Sequence, residues 1–201
     1  PPFFFPAEAG IRDSVASRGR GDVYKRQEKV PGDFFSNTLI YLCEHDSNGA
    51  FGFIVNQPTD FTVSKFLSST GNKSNNQITS FERLMRGGPV DLDKVFMLHN
   101  DRSISNVNTS PLTDRLFLTS APEVINSVNT NVGPDKFKLF LGYCGWSANQ
   151  LESEIKNNSW HVIDANTDFI FDEPPHNLIS AVSEDLGYDL SNVSGESKKV
   201  H

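Results

Sequence analysis

Three groups of residues in this 201-residue chain have the types and spacing to do chemistry. Glu44-His45 sets a carboxylate beside an imidazole, the pairing used for general acid–base catalysis. Both follow a short apolar run, Thr38–Cys43, and neighbouring strand residues point to opposite faces. They cooperate only if the strand breaks there; otherwise each satisfies backbone groups of the turn. His99 closes a second apolar run. If it converged with His45, two imidazoles plus Glu44 or Cys43 would make a metal site. The spacing matches no recognised ligand pattern, and one structural and one surface histidine is the plainer alternative. The third group is Gly142-Tyr143-Cys144-Gly145-Trp146. A strand, two glycines and a helix start would turn N–H groups and a positive dipole end toward an anion. The pattern is not GxGxxG, and Ser147 and Gln150 already use helix-start donors. Cys144 near that start could have a lowered pKa, but no base for it is identifiable.

Two further features have weaker chemistry. Gly87-Gly88-Pro89 could present N–H groups to a phosphate, but Pro89 removes a donor and no Lys-Ser/Thr follows. A tight turn or bulge is the simpler reading. Tyr143, Trp146 and Trp160 could line a pocket or interface, or lock a helix onto a sheet. Neither a Ser/His/Asp order nor GxSxG is present. No catalytic residue, cofactor or metal is assigned.

The elements that position these residues can be read along the chain. Length allows one domain with a sizeable core. Apolar content is 37%, a little low. No apolar run is long enough to span a membrane, and PPFFFP is too short for a signal segment. Cys43 and Cys144 lack CxxC or finger spacing, so free thiols in a reducing cytoplasm are expected. Net charge is −7; residues 1–27 hold five basic against three acidic side chains, which leaves residues 28–201 at −9. That acidic body argues against direct nucleic-acid binding, which needs phosphate neutralisation.

Ile11–Gln27 scatters Gly and Arg without an amphipathic period and resembles a translated sequencing-adapter fragment. Residues 1–27 are therefore expected to be a non-native or disordered segment, 28–190 the domain, and 191–201 a frayed tail. Thr38–Cys43 and Ala50–Val55 read as a strand pair around the Asp46–Gly49 turn, ended by Pro58. Thr62 caps a short helix with Val63, Phe66 and Leu67 inward. Residues 68–80 read as a polar surface loop. Lys94–His99 and Arg115–Thr119 are strands. Ser120–Glu123 is a capping box opening a helix to about Asn129. Phe137–Leu141 is a strand, and Gly142–Gly145 turns into a helix capped by Ser147 and Gln150. In that helix Leu151 and Ile155 face inward, and Glu152 pairs with Lys156. Trp160–Ile163 and Phe169–Phe171 read as strands. Pro174-Pro175 opens a last helix that stops at Gly187. Without strict βαβ alternation, the class is α+β.

The assembled blocks resemble the AlgH/YqgE family of uncharacterised bacterial proteins. They are Ile40–His45, Gly49–Gly52, Asn56-Gln57-Pro58, Gly87–Val90, Leu98-His99, Gly142–Trp146, Gln150-Leu151-Glu152, Glu154, Asn158, Trp160, Phe171-Asp172 and Leu186-Gly187 with Asp189. They span about Pro31 to Gly195 in the right order. The resemblance implies a single-domain α+β fold: a curved, bulged mixed sheet partly closed as a small barrel and surrounded by helices. It also implies a cytoplasmic transcriptional regulator without a DNA-binding motif of its own, acting through a protein or a small ligand. The alternative is an anion- or nucleotide-binding protein, or an enzyme, using a cleft near Glu44, His45, His99 and Gly142–Trp146. The candidate surface comprises Glu44, His45, Asn56, Gly87, Gly88, His99, Gly142, Tyr143, Gly145, Trp146, Gln150 and Glu152. Three departures stand out. Residues 1–27 replace the family's apolar first strand, which would leave an open sheet edge. Cys144 stands where Ala is usual, and Leu178 where an aromatic is common.

Overall fold

The computed structural model describes residues 20–26, 35, 37–69, 82–104, 108–128, 130–157, 159–166 and 168–190. Its axis is one long strand, Phe137–Ser147. Counted in chain order, the strands are β1 (Arg20–Arg26), β2 (Leu39–Asp46), β3 (Gly49–Ile54), β4 (Pro58–Thr62), β5 (Arg83–Arg86), β6 (Val90–His99), β7 (Thr109–Pro111), β8 (Phe117–Thr119), β9 (Phe137–Ser147) and β10 (Trp160–Asn166). The sheet order is β10-β1-β2-β3-β9-β6-β8-β7, with β5 beside β9 and β4 beside β5. Every pairing is antiparallel except β5 with β9. The helices are short: α1 (Val63–Ser69), α2 (Pro122–Asn126), α3 (Gln150–Lys156), α4 (Phe169–Asp172) and α5 (Leu178–Leu186). The sheet curls strongly into a half-barrel within one α+β domain, as the sequence leads one to expect.

Two irregularities produce the curl and decide which residues share a face. In β2 the register with β3 shifts between Leu42 and Glu44, an extra residue that bends the strand. In the β6–β9 ladder the register shifts between Val90 and Val95, opposite Gly142, whose φ of +64° suits glycine and few other residues. Before it, Phe137 and Leu139 pack with α1 and α2 while Phe140 joins the main core. After it the alternation reverses: Tyr143 packs on the main core, and Cys144 and Trp146 pack with α3. The main core draws Leu39, Tyr41, Phe53, Phe96, Leu98, Phe140 and Ile163 from strands all round the curl. Ile170, Leu178 and Val182 of α4 and α5 close it.

Several local expectations are corrected. Gly142–Gly145 does not turn into a helix; β9 runs through it to Ser147, because β6 partners the strand as far as Tyr143 and β3 takes over from Cys144. Phe169–Phe171 is helix, not strand: the Asp168 carbonyl accepts the Phe171 and Asp172 N–H groups and closes a turn. α2 ends at Asn126 and starts from Ala121 without the Ser120–Glu123 box. The last helix begins at Leu178 rather than at Pro174-Pro175. The open edge expected from residues 1–27 is not there. Arg20–Arg26 forms β1, paired along its length with β10 and in part with β2; backbone ladders accept strands that propensity alone disfavours. The readings of residues 1–19, 31–34, 70–80 and 191–201 lie outside the described residues.

Gly87 shows why the half-barrel has glycine at its seam. Its N–H donates to Leu141 and its carbonyl accepts from Ile54, so one residue bridges β3 and β9. A Cβ there would lie 2.2 Å from the Gly142 carbonyl oxygen. Gly87→Ala must therefore push β5 off β9. It is expected to lower stability by about 3 kcal/mol or more, read as a lower urea midpoint at unchanged slope.

Candidate functional site

The densest polar arrangement sits where α3 lies over the end of β9. Glu154 reaches from α3 between two tryptophans. Its Oε2 accepts the Trp146 indole N–H at 3.1 Å and the Trp160 indole N–H at 2.7 Å. Its Oε1 accepts the Gln150 amide at 3.0 Å. Gln150 in turn accepts from the Ser147 backbone N–H at 3.0 Å and the Ser147 hydroxyl at 3.1 Å. The capping pair expected of Ser147 and Gln150 thus forms in one direction only, with Asn149 as the residue before the helix. Trp146 and Trp160 meet edge to face at 5.9 Å and are nearly sealed from solvent. This is a lock of helix on sheet, not an open pocket. Glu154, which the candidate surface leaves out, joins both tryptophans to Gln150. Its signal in the sequence is the four-residue step from Gln150 and the two nearby tryptophans.

The remaining candidates are divided among separate places. His45 stands opposite Ala50, on the α3 side of the sheet, and its Nε2 lies 2.8 Å from Glu152 Oε1. Glu152 therefore pairs with His45 rather than with Lys156. Its carboxyl is held below the usual range by a backbone N–H and by His45. Glu44 stands opposite Phe51, which packs on the main core; ordinary strand alternation sets Glu44 and His45 on opposite faces, and the bulge at Cys43 decides which face each takes. Burial first, then Asp46, pushes the Glu44 carboxyl up. Asp46 is pulled down, mainly by the Asn48 N–H it accepts in the turn. Tyr143 shares an aromatic group with Phe51 and Phe96, and burial followed by Asp91 raises its hydroxyl. Gly145 pairs with Phe51 in the ladder.

His99 does not meet His45. It is fully buried and stacks on Phe117 at 5.6 Å, and among the described residues neither ring nitrogen makes a well-formed hydrogen bond. Burial lowers its pKa, against an opposing pull from Asp101. Among the described residues, no group of three or more His, Cys, Asp or Glu side chains is placed to hold a metal ion. Asn56 is structural: its side chain accepts the Leu39 N–H at 2.9 Å and donates to the Asn37 carbonyl at 3.0 Å. Gly87 and Gly88 pack against the β9 backbone, and the Gly87 N–H is already committed to Leu141. The phosphate-cradle reading therefore loses that donor.

The thiols are poorly set for nucleophilic work. Cys144 is buried and its thiol is pushed up to about 12. At neutral pH that leaves roughly a thousandth of the thiolate of a free cysteine. Burial, then Glu44, raises Cys43 as well.

A half-barrel of antiparallel strands, closed inside by two short helices and locked outside by a carboxylate between two indoles, defines a compact single-domain α+β class. The chain belongs to the AlgH-like family, whose model matches residues 25–191. UPF0301 proteins of Shewanella denitrificans and Shewanella woodyi are 32% and 36% identical to it. They align over 83% and 82% of this chain and 90% and 89% of their own lengths. Among solved structures, the solution structure of the AlgH protein from Pseudomonas aeruginosa is similar, with TM-score 0.75 and 27% identity. That match covers 94% of this chain and all of the other. A Corynebacterium diphtheriae protein with TM-score 0.63 and 21% identity, covering 86% of this chain and 88% of its own, shares the fold.

Two outcomes follow. Glu154→Ala strands two buried indole donors, each costing about 1–3 kcal/mol. Thermal unfolding should fall by about 5–10 °C, with Glu154→Gln intermediate. For His99 the neutral form is favoured on folding, because its pKa is lowered. The stability it supports is whole above the unfolded value of about 6.5 and drains as pH falls from there toward the lower folded value. His99→Leu should flatten the fall in melting temperature between about pH 7 and pH 5, followed by calorimetry.

Proposed function

We infer that the protein is a non-enzymatic interaction module of the cytoplasm, serving transcriptional regulation by engaging a protein partner rather than by gripping DNA. The observation that carries this reading is the division of the chemically capable groups. Glu44 and His45 lie on opposite faces, His99 is sealed, and both thiols are raised. General acid–base work needs such groups within hydrogen-bond reach of one reacting atom. The net charge of −7 supports the same reading, because it repels a phosphate backbone. Among the described residues no helix is long and apolar enough to cross a membrane.

The surface this reading favours is the rim where the β2–β3 turn meets α3. Asp46 and Glu152 are exposed there beside His45. An acidic rim of this kind suits a basic segment of a partner protein, with charge setting the encounter rate and register.

A photo-crosslinking side chain at Ser47, expressed in cells, tests the reading. One discrete partner, lost when Asp46 and Glu152 are changed to Lys, is the expected result. Fluorescence anisotropy showing saturable, salt-steep binding to duplex DNA would sink it.

A further inference from the structure

Away from that rim, a cleft of about 310 Å3 opens where the end of β6, the turn before β8, the start of β9 and α4 meet. That volume is at the small end of ligand pockets, which run about 300–1,000 Å3. It is lined by Asn100, Arg115, Lys136, Asp168, Phe171 and Asp172. Asn100 and Lys136 fix its back wall through paired bonds: the Asn100 N–H to the Lys136 carbonyl at 3.2 Å, and the Lys136 N–H to Asn100 Oδ1 at 3.1 Å. Phe171 packs on the main core and supplies an apolar floor.

The charged groups fall into two pairs that differ in kind. Lys136 Nζ and Asp172 are in direct contact. Arg115 and Asp168 face each other at 3.9 Å, too far for a hydrogen bond. Among the described residues no hydrogen bond reaches the Arg115 guanidinium or the Asp168 carboxylate. They form an open jaw, one side donating and the other accepting, at the mouth of a cleft with no net charge. An anion entering alone would meet Asp168 and Asp172, and a cation would meet Arg115 and Lys136. A small solute with both charges meets neither repulsion.

The geometry points to a binding site for a free zwitterion of amino-acid size with an apolar side group. Its carboxylate takes the Arg115 fork, a planar donor set matched to that group. Its ammonium takes Asp168, and its side group lies over Phe171. Lys136–Asp172 stays paired and holds α4 in place beneath it. Each new contact is charge-assisted, whereas the exposed Arg115–Asp168 pair it replaces is worth little. The site is separate from the rim assigned to a protein partner, so the two readings stand or fall independently.

The test is an NMR titration of the full chain with leucine, with N-acetyl-leucine, which lacks the ammonium, and with leucinamide, which lacks the carboxylate. Leucine should give saturable shifts at the Arg115, Lys136, Asp168 and Phe171 amides. Each blocked analogue should bind at least about tenfold more weakly, or about 1.4 kcal/mol. Arg115→Ala and Asp168→Asn, both at exposed side chains, should each weaken leucine to a similar degree while the rest of the spectrum stays native. The proposal is overturned if millimolar leucine and phenylalanine leave these amides unmoved. Equal binding of the blocked analogues, or undiminished binding by Arg115→Ala, would overturn it as well.

Discussion

One carboxylate holds the outer side of this molecule together. Glu154 lies among buried aromatic rings, which would be costly if nothing answered its charge. Two indole N–H groups and one amide answer it. The dependence is mutual, since a buried indole needs an acceptor as much as the carboxylate needs donors. Because Trp146 sits on β9, Trp160 on β10 and Glu154 on α3, three elements take their relative positions from a single group. Leu151 of α3 is seated in the same cluster as Ile40 and Ile54, which carries that placement into β2 and β3.

The curl extends this constraint to the inner side. Two irregularities, at Cys43 in β2 and at Gly142 in β9, reset the alternation of side chains. Residues that a flat sheet would set on one face are therefore split between the main core and the α3 cluster. The bulge at Cys43 sends His45 rather than Glu44 to the α3 side, where Glu152 meets it. Local backbone geometry here decides which functional groups can meet.

The same irregularities explain what was legible in the sequence. Runs such as Leu39–Leu42 and Val95–Leu98 announce strands because apolar side chains fill both faces, and the α+β class follows from their mixture with short helices. The position of Trp146 and Trp160 beside a helix is readable as a lock. The direction of Gly142–Gly145 is not: a glycine pair after a strand means a turn in isolation, and only flanking β3 and β6 make it continue as sheet. Phe169–Phe171 misleads for a related reason, since three apolar residues carry no usable period and the Asp168 carbonyl closes the turn. His45–Glu152 joins residues far apart in sequence, so neither announces the other. Arg115, Lys136, Asp168 and Asp172 carry no motif at all. They come together only because β6, β8, β9 and α4 end at the same place.

The strand order has a consequence for how the chain reaches this state. β2 and β3 form a local hairpin, but β3 finds its other partner in β9, and β1 finds β10, from the far end of the described chain. Local hairpins close in microseconds, whereas pairings between distant segments are slow because loop closure must come first. During synthesis the β2–β3 hairpin therefore emerges with its apolar edge unpartnered and waits until Phe137–Ser147 has left the ribosome. Gly87 is seated only after that, since both of its backbone partners must already be in place. Assembly of the half-barrel is thus a late event, and the interval before it is when the chain is most exposed to misassociation.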